Sequence, residues 1–211
     1  STLSSSSAAS DWYKRQVYDL ASITKTSSGL LHLMQLYESG NLGLDDKLGD
    51  LFPAFKGTDK ANVPLKSALS HRAGLLPWVP YWQGALKGNA RYPWKKNWVS
   101  TRTNDFRFRP GTMQRDSARN YPIRLTDDLW LHRKFKKRNI YKSIQKSPLK
   151  PPGEYKYSGL LFYLLPEFTK RTTGQGYHAY LRQNFYDPLG AKTLGYRPLD
   201  RGITLDRIVP T

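Results

Sequence analysis

The chain contains no cysteine. Disulfides, thiolate nucleophiles and Cys-based metal sites are therefore excluded, and the redox state of its compartment is left open. Acidic side chains are scarce: 16 Asp and Glu face 34 Lys and Arg, a formal charge of +18 on 211 residues. No apolar run is longer than LLFYLL at 160–165, far short of the roughly 20 residues a membrane helix needs. His32, His132 and His178 share no ligand spacing, so a metal site is not expected. The opening STLSSSSAASDW is rich in Ser and Ala and has no apolar centre. Residues 1–16 therefore read as a linker or terminal remnant rather than a signal peptide.

What is present suffices for a core. The hydrophobic fraction is 38% and the aromatic fraction 13%, above what a disordered chain carries. The length fits one domain, taken as 17–211. Basic residues concentrate between 87 and 156, with a dense knot, RKFKKR, at 133–138. Such a field attracts polyanions of any kind. No helix-turn-helix, zinc-finger or RNA-binding signature accompanies it, so a solvated basic face is the favoured reading. A basic nucleic-acid-binding domain stands as an alternative.

Periodicity organises the chain. Ile23, Leu30, Leu31, Leu33, Met34 and Tyr37 predict a helix over 21–39 that Gly40 stops. Asp45 or Asp46 is placed to cap a short helix that ends before Pro53. NVPLKSALSHRAG predicts another helix, with Pro64 near its first position and Gly74 at its end. Residues 76–125 hold Pro, Gly, Arg and the aromatics Trp78, Tyr81, Trp82, Tyr92, Trp94 and Trp98 without a sustained period. So long a stretch reads as a functional loop or small excursion. Helical patterns are predicted from Thr126 to about Lys146, from 158 to about 173 with a kink at Pro166, and over Tyr177–Tyr186. Only TLGYRP and RIVP look like strands.

Ser22 and Lys25 stand three apart at the front of the first helix. A Ser hydroxyl attacks a carbonyl only when something removes its proton. A neutral Lys one turn along the same helical face can do so, and a helix N-terminus favours developing negative charge. The spacing alone is a weak signal. Ser143–Lys146 and Ser147–Lys150 repeat it at a helix end and in a Pro-containing loop, where a neutral Lys is implausible.

The surroundings are more specific. YDLASITKT, then LMQLYESGNLGLDDKLGDLFPAFKG, then VPLKSALSHRAGLLPW resemble the serine β-lactamase and penicillin-binding-protein family. The likeness is nearest the class C β-lactamase and D-alanyl-D-alanine carboxypeptidase/esterase branch, in which Ser-x-x-Lys is a signature. PPGEYKYSGLLFYLLPEFTKRTTGQGYHAYLRQNFYDPLG resembles that family's second-motif region, with Tyr157 on the motif tyrosine. The resemblance covers roughly 17–200 and looks most like serine hydrolase domains of Bacteroidetes, some of them fused to a glycosidase. It implies an α+β, β-lactamase/transpeptidase-like fold, of which this chain is expected to be mainly the helical part with few strands. It also implies Ser22 as nucleophile, Lys25 as general base, Tyr157 as second base or proton relay, and Trp78 and Gly159 as substrate-facing positions. The implied substrate is a β-lactam, a D-Ala-D-Ala-like peptide or a small ester derived from or resembling peptidoglycan, met in the periplasm or at the cell surface without a cofactor.

There are departures. Gly159 stands where the Tyr-x-Asn motif has its amide side chain, and residues 201–211 hold nothing like the Lys-Thr-Gly or His-x-Gly third motif. The strands that precede the Ser helix in the family are absent as well. The expectation is a chain cut before the third motif, with weak hydrolysis at best. The rival reading is a degenerate binding member of the same fold. His71 reads as a structural residue that closes SHRAG.

Overall fold

The computed structural model describes residues 15–88, 107–126 and 128–210. Tyr92, Trp94 and Trp98 lie outside the described residues. The chain divides into two compact units. One holds the residues up to Leu42 together with those from Leu165 on, and the other runs over Gly43–Leu164.

In the first unit the Ser22 segment is helical from its start but not uniform. A 3-10 turn, Ala21–Ile23, passes through a wide π segment, Lys25–Gly29, into helix α1, Leu30–Glu38. The cause is a run of hydroxyl residues. Thr26 Oγ1 and Ser27 Oγ both donate to the Ile23 carbonyl (2.9 and 3.0 Å), and Ser28 Oγ donates to that of Thr24. Such back-bonding competes with the helical ladder and bends it. At the other end Gly40 takes φ +72. Gly40 N–H and Asn41 N–H donate to the carbonyls of Tyr37 and Leu36 (3.1 and 2.9 Å), which is a Schellman stop.

The expected buried face of this helix is corrected. Ile23, Met34 and Tyr37 are exposed, while Ser28, Gly29, His32 and Leu33 form the buried stripe. Small residues and a histidine line that stripe because aromatics of the same unit press on it. Tyr186 OH donates to the Ser27 carbonyl at 3.0 Å, and Ser28 Oγ meets Tyr196 OH at 2.7 Å. Both come from the end of the unit, which runs through helix α5, Leu165–Thr173, and α6, Tyr177–Leu181, widening into a π segment, Arg182–Tyr186, with Tyr196 in the irregular stretch beyond. Pro166 sits in the first turn of α5, where a missing N–H costs nothing, so it starts the helix instead of kinking it.

The second unit begins with a short helix α2, Leu48–Leu51, and helix α3, Leu65–Leu69. Neither Asp45 nor Asp46 caps α2. Lys47 holds the N-cap position, and Asp46 instead accepts the Gly43 N–H at 2.7 Å. Leu48, Phe55, Leu65, Leu86, Ile144, Leu160 and Leu161 are among the fully buried side chains of this unit. Lys60 is buried with them, its ammonium donating to Asp59 Oδ1 at 2.7 Å and to the carbonyls of Gln145 and Ser147 at the end of helix α4, Lys142–Lys146.

The strands differ from expectation. A small antiparallel sheet is built from β1, Met113–Gln114, β2, Ile123–Thr126, and β3, Leu129–Leu131, with β3 in the middle. Met113 and Ile123 both pair with Leu131. The helix expected from Thr126 therefore starts only after this sheet, with a π segment at Lys136–Tyr141 leading into α4. TLGYRP forms no strand, and RIVP supplies one parallel bridge, Ile208 to Val17.

Candidate active site

Asp19 and Ala21 prepare the backbone for Ser22. Asp19 Oδ1 accepts the Ala21 N–H at 2.8 Å, and Ala21 adopts φ +43, a left-handed conformation costly for a residue with a Cβ. The turn sets Ser22 exposed at the head of the helical segment, and Lys25 half-buried one turn on. The expectation of a buried helix opening at Ser22 is thus corrected: the nucleophile candidate stands at the surface of its unit. Lys25 Nζ lies 3.0 Å from Ser22 Oγ. That length serves either polarity, an ammonium donating to the hydroxyl or the hydroxyl donating to a neutral amine. The second is what proton abstraction requires. The sequence decoys are built differently, with Ser143 and Ser147 buried and Lys146 and Lys150 exposed. Ser147 Oγ is spent on the Ile144 carbonyl at 2.8 Å.

A cleft of about 510 Å³ in the same unit takes in Asp19, Leu20, Thr24, Tyr186, Tyr196 and Ile203, but neither Ser22 nor Lys25. Its lining includes the buried Ser28, whose Oγ meets Tyr196 OH at 2.7 Å and is engaged in donating to the Thr24 carbonyl. Burial pushes the Tyr186 phenol up to about 12, and its OH donates to the Ser27 carbonyl at 3.0 Å.

The second unit holds Tyr157, Gly159 and Trp78. Tyr157 does not open a helix as its sequence context suggested. It lies in an irregular stretch, neither helix nor strand, ahead of a 3-10 turn, Leu161–Leu164. Tyr157 is 43% and Trp78 64% exposed, so each presents an aromatic surface to solvent or ligand. Gly159 offers no side chain, and its N–H is held by the Pro77 carbonyl at 3.1 Å.

The segment carrying Tyr157 is templated by the turn after α3. Gly74 O accepts Lys150 N–H (2.9 Å), Arg72 O accepts Gly153 N–H (2.9 Å), and Arg72 Nη1 donates back to Gly153 O (2.7 Å). Ser158 Oγ donates to Leu76 O at 2.7 Å. Gly74 makes this approach possible: at φ +73, a Cβ there would stand 2.1 Å from the Lys150 carbonyl oxygen. The expected end of α3 shifts accordingly. His71, not Gly74, takes the left-handed stop position, φ +60, with Arg72 N–H on Ser67 O (2.8 Å) and His71 N–H on Ala68 O (3.3 Å). Asp19, His71 and Ser158 are the contributors a sequence reading leaves out or treats as plain structure. The available signal was a non-Gly residue where a helix stop favours Gly.

The family model described as Beta-lactamase matches residues 4–210. A protein of Escherichia coli (strain K12) described as a D-alanyl-D-alanine carboxypeptidase is 22% identical over 202 residues, covering 92% of this chain and 37% of its own length. The chain thus spans well under half of that relative. Among solved structures, the D-amino acid amidase of Ochrobactrum anthropi SV3 is 21% identical with a TM-score of 0.46, over 83% of this chain and 37% of that one. The D-stereospecific amidohydrolase of a Streptomyces species is 20% identical with a TM-score of 0.47, over 80% and 41%.

Proposed function

We propose that this chain, which belongs to the Beta-lactamase family, is a serine hydrolase domain working by acyl transfer through Ser22. The observation that carries this reading is the 3.0 Å approach of Lys25 Nζ to Ser22 Oγ at a helix start. Ser22 Oγ adds to the substrate carbonyl carbon while its proton passes to the Lys25 amine. The N–H groups of a helix's first turn lack intrahelical partners, so the Ser22 N–H is suited to hold the oxyanion. Collapse of the tetrahedral intermediate breaks the bond to the leaving amine or alcohol, which takes the proton from Lys25, and the role proposed for Tyr157 is that of a second base. Water, deprotonated by the same groups, then adds to the acyl-enzyme and releases the acid.

The substrate class proposed is a β-lactam, a small ester or a peptide ending in D-alanyl-D-alanine. Likeness to a protein described as a D-alanyl-D-alanine carboxypeptidase favours the last, and with it a cell-envelope location. The competing reading, a binding member that has lost turnover, is favoured by Gly159, which replaces a motif amide with no side chain.

Release of D-alanine from an acylated D-Ala-D-Ala dipeptide tests the two. Slow turnover of this peptide, none of its L,L counterpart, and loss of activity in Ser22→Ala support the hydrolase. Equal turnover by Ser22→Ala and wild type removes the enzyme assignment. Binding of the D,D peptide without turnover leaves the degenerate reading in place.

A further inference from the structure

We infer that His71 is the positioning residue for Tyr157, gripping the backbone on both sides of it. The inference rests on the reading of Tyr157 as second base, and adds to it the device that fixes the phenol. Two atoms of one residue do the holding. The His71 carbonyl accepts the Lys156 N–H at 2.7 Å, and His71 Nδ1 accepts the Ser158 N–H at 3.2 Å. The N–H groups on either side of Tyr157 are thus both held by one residue, and these bonds bracket Tyr157. The imidazole completes the grip. It packs at 4.6 Å and 52° against the Tyr157 ring and edge-on at 5.9 Å and 86° to that of Tyr155.

The backbone conformation of His71 explains how one residue reaches both partners. Its φ of +60 turns its carbonyl out of the helix direction and brings its ring to the same side. Glycine, the usual choice at a helix stop, would supply the turn without the ring. The strain of a left-handed histidine is retained here because the ring has work to do. Ser158 reinforces the clamp: its hydroxyl donates to Leu76 O at 2.7 Å and accepts the Leu160 N–H at 3.3 Å. Because Nδ1 accepts an N–H, it must carry the lone pair, and the ring proton of the neutral form is on Nε2.

The test uses the full chain. In wild type, long-range proton–nitrogen NMR of the His71 ring should show the Nε2–H tautomer. The Nδ1–H tautomer overturns the proposal without any variant being made. His71→Leu keeps an apolar side chain but no acceptor, and should speed hydrogen exchange at the Ser158 amide at least tenfold. Its rate of phosphonylation by a fluorophosphonate should fall as far as that of Tyr157→Phe, and the double variant should fall no further. His71→Asn tolerates the left-handed backbone and offers an oxygen near the place of Nδ1, so it should recover most of both losses. A folded His71→Leu with unchanged Ser158 exchange, or a double variant whose losses multiply, overturns the inference. If Tyr157→Phe is phosphonylated like wild type while Ser158 exchange still responds to His71→Leu, the clamp stands and the catalytic role of Tyr157 falls.

Discussion

Lys25 is 3.0 Å from Ser22 Oγ, and what separates a base from a neighbour is whether it can be neutral. Arginine keeps a donor near the hydroxyl but stays protonated. Lys25→Arg should therefore preserve the fold and slow acylation of Ser22 by about 100- to 10,000-fold, the usual span of general-base catalysis. Rates read by mass spectrometry beside matching thermal melts check it. His32 gives the residue scale its pH dependence. It is buried against Phe168 and Tyr180, Thr169 Oγ1 meets its Nδ1 at 2.7 Å, and Nε2 finds no partner among the described residues. Burial lowers its pKa from 6.5 to about 4. The unfolded chain then binds the proton first, so stability is full above about pH 6.5 and declines as the pH falls toward 4. Urea midpoints at pH 7.5, 6 and 5 should show that decline, and His32→Asn, which takes up no proton, should flatten it. A decline unchanged in His32→Asn assigns the acid sensitivity elsewhere.

At the scale of elements, the turn after α3 and the stretch 150–159 act as one piece, and Gly74 is its tightest point. Gly57 provides the comparison, since it shares φ +72 but has nothing near its missing Cβ. Gly57→Ala should cost about 1–2 kcal/mol for the left-handed backbone alone. Gly74→Ala should cost clearly more, because its methyl would meet the Lys150 carbonyl at 2.1 Å. Equal shifts in melting temperature would show that the two segments part easily. This pairing also marks where a sequence reading stops. Ser22 and Lys25 were legible together because helical proximity is local, set by a spacing of three. The link from His71 to Ser158 spans 87 positions and depends on a tertiary pairing that no periodicity encodes. The sheet was hidden for another reason. Its strands are short, β2 is largely exposed, and RDSARNYP between β1 and β2 carries no apolar alternation. Conversely, the hydroxyl run TKTSS broke the regular helix that its flanking apolar residues promised.

For the whole molecule, the charge of +18 is a field more than a site. No acidic residue lies between Asp128 and Glu154, while Arg133, Lys134, Lys136, Lys137 and Arg138 are all exposed. Burial and then the neighbouring Arg138, Arg133 and Lys134 hold the His132 pKa below its ordinary value. Binding to duplex DNA should therefore be detectable at about 50 mM salt, fall by orders of magnitude by about 200 mM, and show no sequence preference. A salt-resistant complex at a defined site would promote the nucleic-acid reading over the hydrolase. The family and its fold were readable because several motifs stood in family order across most of the chain, and the family match over 4–210 agrees. The central claim is that Ser22 is a nucleophile, and covalent trapping tests it most directly. After incubation of the 211-residue chain with a fluorophosphonate, peptide mapping should place a slow, single adduct on Ser22, lost in Ser22→Ala and strongly slowed in Lys25→Arg. An adduct on another residue, or labelling that persists unchanged in Ser22→Ala, would contradict it.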